Sequence, residues 1–160
     1  MGHDVTVYHP GVDQEALHEE LKIGDYDRKE WVDDYEEYCD RTQLAYIRRA
    51  AGNPLNQVIY LALGVMDEAY AGCSGNGAEL DFTRDQLESA KQILEVKNFG
   101  EMTRERNLVD AIVETLAGAG ASLVGSNIDP TDISQEKKFI QQCLDYLDVY
   151  GDETISISFS

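Results

Sequence analysis

The chain has little of what would tie it to an oxidising compartment, a membrane or a polyanion. It holds only three cysteines, Cys39, Cys73 and Cys143, odd in number, far apart and without a CxxC pair. Neither a disulfide framework nor a cysteine zinc site is expected from that pattern. The longest apolar run, Val58 to Met66, is nine residues, against the roughly 20 that a helix needs to cross a bilayer. The opening MGHDVTVYHPG has no basic region followed by an apolar one, so no secretory leader is expected and the cytoplasm is the expected location. His3, His9 and His18 are never three or four residues apart, which leaves no helical metal pair. There is no internal repeat, no low-complexity tract and no break in composition. Residues 1–160 therefore read as one acidic globular domain, long enough for a real core.

Basic residues are also scarce. Lys and Arg number 13 against 31 Asp and Glu, a net charge of −18 spread along the whole chain. Such a field repels nucleic acid and anionic lipid and accelerates encounter with basic proteins. Three explanations compete: a merely solubilising surface, adaptation to high salt, and mimicry of nucleic acid to occupy a basic groove. The six lysines that remain weigh against the second.

What is present patterns into an α+β domain, mostly helical, with a small sheet formed by the N- and C-terminal strands. Val5 and Val7 alternate in an opening strand, and Ile155, Ile157 and Phe159 alternate in a closing one. Glu79 to Phe82 is a candidate third strand. Asp13 caps a short helix through Leu21, on which Ala16, Leu17 and Leu21 share a face. Helical spacing over Lys29 to Ala51 puts Trp31, Tyr35, Tyr38, Thr42 and Tyr46 on one stripe, with a break near Asp40 as a variant. Asn53 and Pro54 read as the start of an apolar helix that runs to Gly72. Thr83 and Gln86 form a capping box ahead of Leu87, Ala90 and Leu94. A helix over Leu108 to Leu116, a small-residue linker AGAGASLVGSN and a last helix restarting at Asp129 and Pro130 and ending at Gly151 complete the reading.

The sites follow from these placements. On the third element, Trp31 and Tyr35 are rigid anchors and Asp33, Asp34, Glu36, Glu37 and Asp40 supply charge, the composition of a face that meets a basic protein. The competing reading makes the aromatic stripe core. Asp25 to Glu36 can be laid on a calcium-binding loop, but Lys29 and Glu30 stand where an oxygen ligand and a glycine are needed. A ligand site would draw on Arg41, Arg48 and Arg49, with Arg41 and Arg48 seven apart on one helix, and on Cys73, Ser74 and Asn76 of the loop GCSGNG. That loop follows a helix instead of preceding one. It therefore lies at the negative end of the helix dipole and disfavours phosphate. No catalytic residue, cofactor or metal is assigned.

GHDVTVY, LAYIRRAAGNPLNQVIYLALG and YAGCSGNG together resemble small proteins of phage and prophage type, over about the first half of the chain. The resemblance implies an accessory protein made against a host system, and carries no functional residue with it. The function expected is that of an acidic interaction protein, an anti-defence inhibitor occupying a basic, nucleic-acid-binding surface of a host protein, without direct nucleic-acid or membrane contact. The alternative is a nucleotide-binding protein or enzyme built on the Gly72–Gly77 loop and the arginines.

Overall fold

The computed structural model describes residues 2–53, 55–96 and 132–160. Their order is β1 (Gly2–Tyr8), α1 (Gln14–Glu20), α2 (Trp31–Thr42), β2 (Gln43–Ala50), α3 (Asn56–Leu63), α4 (Met66–Ala69), β3 (Glu79–Thr83), α5 (Arg84–Val96), α6 (Ser134–Tyr150) and β4 (Thr154–Phe159). The helix expected over Leu108 to Leu116, the small-residue linker, Asp129 and both Pro54 and Pro130 lie outside the described residues. No described helix is long and apolar enough to cross a membrane.

The four strands form one antiparallel sheet in the order β2-β1-β4-β3. The terminal strands do pair, Val5 opposite Phe159 and Thr6 opposite Ser158, and Glu79–Thr83 joins β4 as the third strand. Val5, Val7, Ile155, Ile157 and Phe159 point to the buried face, as their alternation requires. Val58, Ile59, Leu87, Leu94, Ile140 and Leu147, from α3, α5 and α6, close the same core. The Asp13 carboxylate accepts from the Ala16 amide at 2.9 Å and Thr83 Oγ1 from the Gln86 amide at 3.3 Å, so both expected caps form.

Several expectations fail. The helix read over Lys29 to Ala51 ends at Thr42, whose hydroxyl donates back to the Tyr38 carbonyl at 2.7 Å. Residues 43–50 become a strand paired with the whole of β1, Val7 opposite Ala45 and Val5 opposite Ile47. A helix would bury one of Ala45 and Ile47. The strand buries both, and period two prevails over period 3.6. Tyr46 therefore leaves the helical stripe for the outer face of the sheet, where Arg48 also lies, and Arg41 and Arg48 share no helix face.

The apolar helix begins at Asn56, two residues later than expected, and stops where Gly64 takes a left-handed conformation (φ 73°). A single further turn, α4, follows. Gly72 is thus no helix cap: α4 ends at Tyr70 in extended backbone. Lastly, Ala16 is exposed on α1, where Leu17 alone is buried.

Candidate functional site

The aromatic residues of α2 stack along its axis. The rings of Trp31 and Tyr35 lie 5.0 Å apart and nearly parallel (13°), and Tyr35 and Tyr38 follow at 6.5 Å. Spacings of four and three residues put them on one side of the helix, where offset stacking is available. The ladder is anchored at its N-terminal end: Trp31 Nε1 donates to the Ile23 carbonyl at 2.8 Å, and Tyr26 tilts against the indole at 5.6 Å. All three rings are half-buried. They are neither the core stripe of one reading nor the open anchor surface of the other.

The acids of α2 divide by what holds them. Arg28 ties down Asp34 at 2.6 Å, and Arg41 reaches Glu37 at 3.3 Å and Glu20 at 3.4 Å. Asp33 faces solvent. Glu36 and Asp40 instead line a trough between α2 and strand β2, a cavity of about 440 Å³ that Tyr35, Tyr46 and Arg48 also border. It continues through Cys39, Asp40, Gln43 and Tyr46 into a second cavity of about 420 Å³ bounded by α6. Arg48 is held over the outer sheet face by Asp4, 3.6 Å away, and Asp4 also accepts from the Tyr46 hydroxyl at 3.3 Å. Burial raises the phenols of Tyr8, Tyr35 and Tyr46 above the ordinary value of 10. At neutral pH these tyrosines are uncharged hydrogen-bonding anchors beside carboxylates.

Of the seven residues expected to meet a partner, the fold thus gathers Tyr35, Glu36 and Asp40 into one trough. It adds Tyr46 and Arg48, which the helical reading of 43–50 had misplaced. The calcium-loop reading of Asp25 to Glu36 meets a helix that already begins at Trp31, with the Asp34 carboxylate on Arg28.

The arginines do not converge on the glycine loop. Arg41 is on the outside of α2 with Glu20 and Glu37, Arg48 is on the outer sheet face, and Arg49, one residue along the strand, is on the inner face. Several of the loop's own polar groups are occupied. Gly77 donates to the Phe159 carbonyl at 2.8 Å, Ala71 to the Ser74 carbonyl at 2.8 Å, and Gly52 to the Cys73 carbonyl at 3.1 Å. Asn76 spends its side chain on the Glu68 carbonyl and the Ala78 amide. A Cβ on Gly75 would sit 2.4 Å from the Phe159 carbonyl carbon. The glycine there lets the loop dock on the last strand, a packing role.

Sequence reasoning missed a buried polar cluster on the inner face. His3 shares a hydrogen bond of 2.7 Å with the Tyr60 hydroxyl, and desolvation lowers its pKa below the ordinary 6.5. Its strand neighbour Arg49 makes an ion pair with Glu136 of α6, whose carboxylate is fully buried. Asn56, one turn before Tyr60, donates to the Ala50 carbonyl at 3.0 Å. His3 Nδ1, Asn56 Oδ1 and Glu136 Oε2 have no hydrogen-bond partner among the described residues. The one available signal was the phase of β1, because a strand that buries Val5 and Val7 also buries His3. Cys143 is deep in the core, its thiol pushed up to about 12 by burial, and Cys73 is exposed. No protein-family model, no curated protein and no solved structure matches the chain, so the functional reading rests on this geometry.

Proposed function

We propose that the protein is an acidic interaction module, an inhibitor of phage type that occupies a basic, nucleic-acid-binding surface of a host protein through α2 and the adjoining trough. The observation that supports this most is the pairing, in one trough, of neutral tyrosines with carboxylates: Glu36 and Asp40 take part in none of the ion pairs among the described residues. Aromatic anchors supply contact area at small entropic cost and the carboxylates orient a cationic partner. The net charge of −18 adds long-range attraction to such a surface. The reading predicts fast, salt-sensitive association, because the charges that steer encounter are solvent-exposed.

The test is capture of host proteins on the immobilised chain, followed by competition. A true target releases its nucleic acid when the protein is added. Its affinity falls steeply from low to physiological salt, and falls again in the triple variant Asp33→Lys, Glu36→Lys, Asp40→Lys. A captured protein that keeps its nucleic acid bound, or that binds the triple variant equally well, overturns the proposal.

A further inference from the structure

Strand β2 ends the sheet among the described residues, with β1 on one side only. The cavity between α2 and α6 is lined by four consecutive residues of that strand, Gln43, Leu44, Ala45 and Tyr46. Consecutive strand residues point to opposite faces, so a cavity that touches all four runs along the strand's edge, not over one face. A strand edge presents main-chain N–H and C=O groups, the template to which another extended chain pairs. The walls suit such a guest. Gln135 and Gln142 of α6 offer neutral amides, and Asp40, exposed at the end of α2, offers a carboxylate at the rim. Lys138 of α6 adds one exposed cation, so the pull on a basic guest comes from Asp40, from Glu36 in the adjoining cavity and from the net charge of the whole chain. Four residues span about 10 Å of strand, enough for a short guest.

We infer that this edge of β2 receives an extended basic segment of the partner as a fifth strand, with alternate cationic side chains directed to Asp40 and Glu36. The inference rests on the proposed interaction function and names the part of the partner that the trough reads. Charge decides between the two guests an open edge attracts. A second copy of the chain would bring two bodies of net charge −18 edge to edge, whereas a lysine-rich strand meets an attractive field. Main-chain pairing would supply the affinity, and the carboxylates the preference for base.

The probes are short synthetic peptides alternating lysine with valine, threonine or tyrosine, and the same peptides with every backbone amide N-methylated. Methylation keeps all charges and removes all donors. At low salt the unmodified peptides bind and slow amide hydrogen exchange within Gln43–Tyr46, and the methylated ones lose at least about tenfold in affinity. The variant pair Glu36→Lys, Asp40→Lys weakens the unmodified peptides without lowering the protein's unfolding midpoint. Equal binding of methylated and unmodified peptides, or no binding by any of them, overturns the inference. So does exchange protection at Gln43–Tyr46 that appears in the protein alone as its concentration rises, because that identifies a second copy as the guest. A host target that binds with the expected salt dependence while these amides stay unprotected leaves the interaction function standing and removes only the strand.

Discussion

Glu136 carries a carboxylate where a solitary one would be excluded, fully buried against Arg49. Removing one member of such a pair strands the other: Glu136→Ala should cost about 3–5 kcal/mol, measured by urea unfolding. Replacing both together, Arg49→Met with Glu136→Leu, should cost far less, because the desolvation of both charges is also removed. His3 gives a second residue-scale expectation. Burial holds its folded-state pKa below the unfolded value of 6.5, so below that pH the unfolded chain binds a proton that the folded chain refuses. Stability should therefore fall as pH drops through 6.5, with a slope from this residue of up to about 1.4 kcal/mol per pH unit, until the folded-state pKa is reached. The difference between the parent and His3→Gln in unfolding midpoint, compared at pH 7.5 and at mildly acidic pH, isolates the contribution. The cluster was illegible in the sequence because its members come from β1, β2, α3 and α6 and acquire meaning only through contact.

At the scale of elements, local signals that act within one turn were readable and those that need a partner were not. Asp13, Thr83 with Gln86, and Gly151 mark helix ends by bonds to their immediate neighbours, and the structure has all three. The exchange of helix for strand at Gln43 depends instead on β1 lying alongside, since QLAYIRRA satisfies either period until Val5 and Val7 face Ile47 and Ala45. The glycine loop shows the same contrast between readable and hidden constraint. Gly75→Ala places a methyl group against the Phe159 backbone at 2.4 Å and should destabilise by about 1–3 kcal/mol or more, as overpacking does. Gly64→Ala, with open space around a left-handed backbone (φ 73°), should lose about 1 kcal/mol, from conformation alone. Thermal unfolding of the two variants side by side checks the order.

Across the whole molecule the dominant quantity is the net charge of −18. Self-repulsion of that size opposes compactness, and screening relieves it. Raising sodium chloride from low to physiological concentration should therefore raise the unfolding temperature while it weakens partner binding. A midpoint that falls over this range would show that attractive surface pairs such as Arg84–Asp148 and Arg41–Glu37 outweigh the repulsion. The sequence by itself determined the α+β class, the pairing of terminal strands through their alternating Val5, Val7, Ile155 and Ile157, the acidity and the aromatic spacing on α2. Each of these is a property of composition or of a period within one segment. Only the tertiary structure decided that β2 is a strand and, among the described residues, ends the sheet, that Arg48 and Arg49 part to opposite faces, and that Glu36, Asp40 and Tyr46 border one trough. The reason is physical: whether a side chain is a core residue, an ion-pair partner or a trough wall depends on which segment packs against it, and β1, α2 and α6 meet β2 from widely separated parts of the chain.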